Sequence, residues 1–495
     1  MNLKAVSRTT GYVLIIEGLL MLPAVLVSLI YRETSGLWIL LVAVGALIAG
    51  HILKYLGKNA ERSFVREGFA IAGLTWVVMS MVGALPFTLS GAIPSYVDAV
   101  FETISGFTTT GSSILTDVEA LDHGMLFWRS FTHWIGGMGI LVFMLAVRPQ
   151  GSTKADDMLL MKAESPGPVV EKMVPRLRET AGILYKIYMA LTAAEIVLLL
   201  VTGMHPFDAF CISFGTAGTG GFGVLNASIA SYSTPQHIII GIFMLLFGVN
   251  FNLYYLLLIR HFTGVFHSEE LRAYLSVVVV STLMITANVW YYCSELYSSL
   301  AECLKVSFVQ VGSIMTTTGF CITDFEYWPA FSKTILVLLM FCGASAGSTG
   351  GGLKVSRLLI GCKLVKVELQ KLMHPRSVRT IRMDGKEVST EVAGRTAAYF
   401  IIYVLIFVVS LVLVSIDNFD LITNFTAVAA TINNIGPGLG VCGATGNYSS
   451  FSVLSKIVMM FDMLVGRLEI FPMLFLFSPA VWKRKRDVRK DRRSV

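Results

Sequence analysis

Two stretches far apart in the chain contain the same four residues, three threonines followed by a glycine, at positions 108–111 and 316–319. Each follows a short apolar segment and lies between two hydrophobic stretches long enough to cross a bilayer. A cation that enters a membrane must exchange its water for other oxygen ligands, and a ring of backbone carbonyls supplies these without adding fixed charge. Glycine permits the backbone angles that turn carbonyls inward. The pattern is therefore typical of a re-entrant pore loop that dehydrates a cation.

Two weaker copies of this loop lie at residues 214–222 and 433–438. Alignment of Gly111, Gly220, Gly319 and Gly436 gives near-regular intervals of about a hundred residues, which is typical of an internal repeat. We expect a half-helix before each loop, and the C-terminal ends of these half-helices would carry partial negative charge towards the cation. Four such units predict a pseudo-fourfold array around one pore within a single chain.

The composition predicts a polytopic membrane protein embedded in the lipid bilayer. Of 495 residues, 55% are hydrophobic and 14% charged, and the mean hydropathy is +0.70. The net charge of +7 does not indicate a nucleic-acid partner, because the basic residues cluster between predicted spans and at the C-terminus, as the positive-inside rule describes. The seven cysteines lack metal-binding spacing and the eight histidines do not cluster. We therefore expect neither an enzyme nor a bound organic cofactor.

The hydrophobic runs predict an all-α integral membrane fold with ten crossings and both termini in the cytoplasm. Two spans precede four helix–pore loop–helix units, and charged segments separate some of the units. The predicted boundaries are 1–66 for the two-span segment, 67–150 for the first pore repeat, 151–180 for a cytoplasmic connector, 181–265 for the second repeat, 270–367 for the third, 368–394 for a second connector, 395–482 for the fourth repeat and 483–495 for a basic cytoplasmic tail.

Acidic residues precede several of the loops. Asp98, Asp208 and Asp420 stand where half-helices are predicted to open, and capping of the helix N-terminus explains that position. Asp98 and Glu102 would lie on the outer side of the first loop. Attraction of cations into an outer vestibule is therefore an alternative role for these two carboxylates.

The returning span of the third unit contains a run of small residues. Positions 343–352 are all glycine, alanine, serine or threonine, and each glycine in a helix costs about 1 kcal/mol relative to alanine. The helix should therefore break, which is tolerated at membrane depth only within protein or beside water. A plain kink and a mobile gate both fit this pattern. A phosphate-binding loop does not, because Leu353, Lys354 and Val355 follow the glycines in place of Lys-Ser or Lys-Thr.

Charged residues also fall within predicted spans. Arg467 lies close to Asp462 and Glu469, and a buried arginine is costly unless it is paired or hydrated. It either forms a positive barrier and anchor for the broken helix or belongs to a structural ion pair. Glu17 and Glu195 are interpreted as acids at helix interfaces, with proton coupling as the alternative.

Several separated motifs together resemble the Trk/Ktr/HKT cation transporter superfamily. These are the four loops, residues 128–139 after the first loop and residues 466–472 near the end, and the two extra N-terminal spans make the chain most similar to the bacterial TrkH/TrkG branch. The resemblance covers essentially the whole chain. It implies a potassium-conducting subunit in the bacterial inner membrane, a homodimer with one pore per protomer, and gating by a cytosolic TrkA-like ring of nucleotide-binding subunits.

The resemblance also implies which residues form the ion filter and the gate. Gly111, where sodium-preferring relatives have serine, favours potassium. Ile435 and Pro437 depart from the threonine pattern, so the four loops are not expected to contribute equally. Tetrameric potassium channels have longer, repeated signature loops, and we therefore expect a less strict selectivity here. The implied K⁺ filter consists of Thr110, Gly111, Thr219, Gly220, Thr318, Gly319, Ile435 and Gly436. The implied gate loop consists of Gly347, Ser348, Thr349, Gly350, Gly351, Gly352 and Lys354, with Arg467 as the charge that faces the pore.

Two other functions share some of these features. A secondary carrier for a small organic solute would use inverted repeats, whereas units with an even number of crossings repeat in parallel orientation. A sodium-permeable cation transporter would use the same loops with weaker discrimination. The sequence favours the potassium pore over both.

Overall fold

The computed structural model describes residues 3–58, 65–139, 177–376 and 379–479. Within these ranges the regular secondary structure is helical, apart from one two-stranded hairpin. The basic tail, nearly all of the first predicted connector and the end of the first predicted repeat lie outside the described residues.

The two N-terminal helices form an antiparallel pair, α1 (Leu3–Tyr31) and α2 (Ser35–Leu56). Glycines let their backbones approach closely, since a Cβ on Gly18 would lie 2.7 Å from the Ala43 carbonyl oxygen. The pair is fixed to the rest of the molecule by Glu33, whose carboxylate accepts the N–H of His123 at 2.9 Å. This contact satisfies a backbone donor at the start of the first returning helix.

The first two units each contain a long helix, a shorter one before the loop and a returning segment. Their helices are α3 (Val65–Leu89), α4 (Tyr96–Phe107) and α5 (His123–Gly137), then α6 (Leu177–Val201), α7 (Pro206–Gly218), α8 (Thr234–Phe247) and α9 (Phe251–Leu258). The short helix α10 (Phe262–Phe266) connects them to the third unit.

The last two units follow the same order, and a hairpin separates them. Their helices are α11 (Glu269–Tyr292), α12 (Leu300–Met315), α13 (Ala330–Met340) and α14 (Val355–Met373), then α15 (Thr390–Val414), α16 (Leu421–Ile432), α17 (Val453–Arg467) and α18 (Phe471–Phe477). The hairpin pairs β1 (Arg382–Met383) with β2 (Lys386–Glu387). Short 3₁₀ turns lie at Phe325–Tyr327, Ser415–Asp417 and Gly440–Cys442.

Six helices in the described ranges are long and apolar enough to cross a membrane, or seven if the bent pair α8 and α9 counts as one span. The prediction of ten crossings therefore remains a prediction. The shortfall has a clear structural cause, because the first helix of each returning segment is short. The lengths of α5, α8, α13 and α17 are 15, 14, 11 and 15 residues.

In the second, third and fourth units the returning segment is broken into two helices. The break between α13 and α14 agrees with the run of small residues, but two other breaks were not predicted. Helices α8 and α9 meet at 90°, where one continuous span was expected. Helices α17 and α18 are separated at residues 468–470, where Glu469 and Ile470 adopt positive φ angles of 55° and 71°.

The caps of the half-helices differ from the prediction in two of three cases. Asp420 does cap α16, because its Oδ1 accepts the Thr423 hydroxyl at 2.5 Å and its Oδ2 accepts the Thr423 N–H at 3.0 Å. These hydrogen bonds lower the pKa of the carboxyl. Asp98 lies one turn inside α4, whose cap is Ser95. Asp208 is likewise in the first turn of α7 and not at its cap.

Candidate functional site

The four loops meet at one place, and each glycine lies against the next loop. A Cβ on Gly111 would lie 1.9 Å from the Gly220 carbonyl oxygen, and one on Gly319 would lie 1.9 Å from the Ile435 carbonyl oxygen. A Cβ on Gly221 would likewise lie 2.0 Å from the Thr318 carbonyl oxygen, and one on Gly436 would lie 2.9 Å from the Thr110 carbonyl oxygen. The contacts run from the first loop to the second, third and fourth, and then back to the first. No side chain fits between neighbouring loops at these positions.

All four loops share one sequence of backbone conformations. A residue with positive φ is followed by one residue and then by a glycine with positive φ. The first positions are Thr109, Thr219, Thr317 and Asn434, with φ angles between 55° and 61°, and the glycines are Gly111, Gly221, Gly319 and Gly436.

The backbone register corrects the alignment of the second loop. The residue that corresponds to Gly111 is Gly221, and the predicted Gly220 occupies the position of Thr110. A glycine is also required at position 220 for steric reasons, because a Cβ there would lie 2.2 Å from Nδ1 of His133. Both glycines belong to the second loop, and their roles in binding a cation stay a prediction.

In the first and third loops, which contain the three threonines and a glycine, threonine hydroxyls hydrogen-bond to each other. Thr108 and Thr110 share a hydrogen bond of 2.8 Å, and Thr316 and Thr318 share one of 2.7 Å. The Thr108 hydroxyl also donates to the Ile104 carbonyl oxygen at 2.6 Å. These hydroxyls are therefore hydrogen-bonded within the loop, where they hold its backbone in place.

The fourth loop is held by different groups. Asn434 takes the place of a threonine, and its Nδ2 donates to Thr110 Oγ1 at 2.9 Å and to the Met463 carbonyl oxygen at 2.8 Å. The Gly436 carbonyl oxygen accepts hydrogen bonds from Tyr448 at 2.8 Å and Ser112 at 3.2 Å. Sequence reasoning missed Asn434, although its tolerance of positive φ was a usable signal.

A cavity opens onto the meeting point of the loops, and every loop lines it. Its lining includes Gly111, Gly221, Gly319 and Gly436. Cys442 also lines it, and burial raises the pKa of this thiol to about 11. The thiol is therefore neutral at physiological pH, and it adds no charge to the cavity.

Glu102 does not face the cavity as a free carboxylate, which corrects its expected role in attracting cations. It is 1% exposed and its Oε1 lies 2.6 Å from Nε of Arg129. Glu102 Oε2 also accepts the N–H of Ile114 at 2.9 Å, and Arg129 donates to the Gly223 carbonyl oxygen at 3.0 Å. This buried ion pair thus joins the chain that follows the first loop to the chain that follows the second.

Asp98 is also paired. Its Oδ1 lies 2.7 Å from Nζ of Lys456 on α17, which is 7% exposed. The contact links the first unit to the fourth and leaves Asp98 partly exposed. It therefore serves neither as the predicted cap nor as an isolated cation attractor.

The non-helical residues 341–354, here called the small-residue segment, pack against the third and fourth loops. The N–H of Gly351 donates to Oγ1 of Thr317 at 2.7 Å, and a Cβ on Gly351 would lie 2.7 Å from the Asn433 carbonyl oxygen. Phe251 donates its N–H to the Gly347 carbonyl oxygen at 3.0 Å. Lys354, 6% exposed, turns its ammonium back onto the carbonyl oxygens of Gly350 and Gly351. The predicted gate residues therefore lie together beside the loops.

Arg467 joins three parts of the molecule through two backbone carbonyl oxygens and one threonine hydroxyl. Its guanidinium donates to the Thr349 carbonyl oxygen at 2.7 Å and to the Gly137 carbonyl oxygen at 2.6 Å. It also donates to Thr109 Oγ1 at 3.3 Å. One half-buried arginine thus contacts the small-residue segment, the end of α5 and the first loop.

The acidic residues near Arg467 have other partners. Glu469 forms an ion pair with Arg357 of α14, and Asp462 accepts a hydrogen bond from Ser410 at 2.7 Å. Glu469 thus connects the fourth unit to the third, whereas the hydrogen bond of Asp462 lies within the fourth unit. Glu17 and Glu195 are buried, at 1% and 0% exposed, and their interpretation as acids satisfied at helix interfaces stays a prediction.

Comparison with known proteins gives a consistent result. The family model of TrkH, described as a cation transport protein, matches residues 38–484. The chain is 37% identical over 489 residues to the Trk system potassium uptake protein TrkH of Salmonella typhimurium, with 98% of this chain and 100% of that protein covered. It is 32% identical to the Trk system potassium uptake protein TrkG of Escherichia coli, with 97% and 99% covered.

A solved structure agrees with the fold. The crystal structure of the potassium transporter TrkH from Vibrio parahaemolyticus matches with a TM-score of 0.86 at 34% sequence identity. The match covers 98% of this chain and 100% of that one.

Proposed function

Because the chain belongs to the TrkH family of cation transport proteins, we propose that it is the ion-conducting subunit of a potassium uptake system in the bacterial inner membrane. The observation that carries the proposal is the closed cycle of contacts among the four loops, in which each glycine faces a carbonyl oxygen of the next loop. The four units then form a pseudo-fourfold array with ten crossings and both termini in the cytoplasm.

The loops act on potassium through their backbone. Carbonyl oxygens of the predicted filter replace the water around K⁺, which is the transported ion, and the ion needs no fixed negative charge there. Helices α4, α7, α12 and α16 end at the four loops, and their C-terminal dipoles add to the attraction. The buried ion pair between Glu102 and Arg129 connects the segments that follow the first and second loops, and its paired charges do not compete for the ion.

The small-residue segment controls passage. It lies against the third and fourth loops and is held there by Arg467, whose positive charge adds an electrostatic barrier to K⁺. Irregular backbone of this kind rearranges more readily than a helix, because few of its backbone groups are bonded within one regular element. A cytosolic TrkA-like ring of nucleotide-binding subunits moves the segment, and two copies of the chain form a homodimer with one pore each.

Gly111→Ser tests the filter. The matched control is Gly91→Ser, because Gly91 has the same φ of +80° but no atom within 4 Å of an added Cβ, whereas Gly111 faces the Gly220 carbonyl oxygen. Radioactive rubidium uptake and reversal potentials in mixed potassium and sodium are measured for the full chain in liposomes. We expect Gly111→Ser to lose discrimination between K⁺ and Na⁺ and Gly91→Ser to keep it.

Two results would contradict the proposed function. One is a wild-type chain that carries no K⁺ or Rb⁺ in cells lacking other potassium systems. The other is wild-type selectivity in Gly111→Ser, because a serine side chain at that position must displace a carbonyl of the neighbouring loop.

A further inference from the structure

A buried carboxylate on α11 contacts the first half of the small-residue segment and the start of the helix that follows it. Glu270 is the second residue of α11 and is 6% exposed. Its Oε1 accepts the N–H of Ala346 at 2.7 Å and the N–H of Ser356 at 3.2 Å. Ala346 lies in the first half of the segment, and Ser356 lies in the first turn of α14, which follows it. One oxygen atom thus ties the first half of the segment and the first turn of α14 to a third helix.

A carboxylate suits this position for two physical reasons. The first N–H groups of α14 have no partner within their own helix, and negative charge is favourable at a helix N-terminus. Hydrogen bonds to an ionised acceptor are also stronger than neutral ones.

Glu270 and Arg467 hold different parts of the segment. Arg467 and Thr317 contact Thr349 and Gly351, in its second half. Glu270 holds the first half, at Ala346, to the start of α14. The two ends of the segment are also joined by the hydrogen bond from Gly343 N–H to the Leu353 carbonyl oxygen at 2.8 Å. A movement that separates Ala346 from Ser356 must break at least one of the two hydrogen bonds to Glu270.

We propose that Glu270 is a positioning residue that keeps the small-residue segment in its closed position and sets how readily the segment moves aside. The inference rests on the proposed function, in which this segment is the gate. Loss of the charge weakens both hydrogen bonds at once, so that the open arrangement becomes more populated. The filter residues are not touched, and selectivity should not change.

The test compares Glu270→Gln with Glu391→Gln in the full chain, reconstituted in liposomes without a regulatory subunit. Glu391 is the matched control, because it is the second residue of α15 but is exposed and pairs only across one helical turn with Arg395. We expect Glu270→Gln to raise rubidium flux about tenfold, which corresponds to about 1.4 kcal/mol. Glu391→Gln should leave the flux unchanged, and the reversal potential should be that of the wild type in both variants.

The outcomes separate this inference from the function on which it rests. A wild-type chain that carries no K⁺ in cells lacking other potassium systems overturns the proposed function itself. If Arg467→Ala raises the flux and Glu270→Gln does not, the segment is a gate that Glu270 does not hold, and the inference is wrong. A lower flux together with a lower thermal unfolding temperature in Glu270→Gln would mean a purely structural role, which also overturns the inference.

Discussion

Arg467, the last residue of α17, donates a hydrogen bond to the backbone carbonyl oxygen of Thr349 at 2.7 Å. The same guanidinium reaches the end of α5 and the first loop. A charge contributed by the fourth unit therefore holds a segment of the third unit against the first. The planar, forked guanidinium is suited to several carbonyl oxygens at once, which a lysine ammonium reproduces poorly.

Replacement of Arg467 should release the small-residue segment. We expect Arg467→Ala to raise rubidium flux in the absence of a regulatory subunit by about tenfold, as loss of about 1.4 kcal/mol predicts. Arg467→Lys keeps the charge but loses the fork, so its flux should lie between those of the wild type and the alanine variant. The control is Arg395→Ala, an exposed arginine on α15. A wild-type flux in Arg467→Ala would contradict the assigned role.

The ion pair between Glu102 and Arg129 should matter for stability as well as for the loops. Removal of one partner of a buried pair leaves an uncompensated charge and costs about 3–5 kcal/mol. We therefore expect Glu102→Gln to lower the thermal unfolding temperature of the purified protein and to reduce selectivity for K⁺. Glu391→Gln is again the control, because the pair with Arg395 is exposed on both sides and such pairs contribute little. Equal unfolding temperatures for the two variants would show that the buried pair is not needed.

The difference between predictable and unpredictable features follows from how local each signal is. The first and third loops and the break after α13 could be predicted from the sequence, because threonine-glycine patterns and runs of small residues determine the local backbone conformation. Arg129, the partner of Glu102, lies 27 positions away on another helix, and no local sequence pattern indicates that the two residues pair. Glu102 was accordingly expected to attract cations, and the structure places it in an ion pair.

Two errors arose where residue type does not determine conformation. In the second loop Gly220 and Gly221 are adjacent, and either glycine can adopt a positive φ, so the sequence alone could not choose between them. The break between α17 and α18 was missed for a different reason, because its residues are of types that seldom adopt a positive φ. Glu469 and Ile470 adopt positive φ angles that such residues rarely take, and only the surrounding packing imposes this conformation.

The corrected register of the second loop leads to a direct test. Gly221 has a φ of +80° and faces the Thr318 carbonyl oxygen, as Gly111 faces that of Gly220. We therefore expect Gly221→Ser to reduce discrimination between K⁺ and Na⁺ in the same way as Gly111→Ser, as judged by reversal potentials. Gly203→Ser is the control, because Gly203 has a φ of +84° with no neighbouring atom within 4 Å. If Gly221→Ser kept full selectivity, the second loop would not share the backbone role of the first.

The fourth loop should be the most permissive part of the filter. Its Ile435 provides no hydroxyl, and its geometry depends on Asn434, which donates to both Thr110 and the Met463 carbonyl oxygen. We expect Asn434→Ala to free this loop and to shift the reversal potential towards that of sodium, with flux retained. Asn447→Ala, at an exposed outer turn, should leave the potential unchanged. Because Asn434 ties the fourth loop to the first, a variant that kept wild-type selectivity would mean that the packing of Pro437 against Gly319 is sufficient to hold the fourth loop in place.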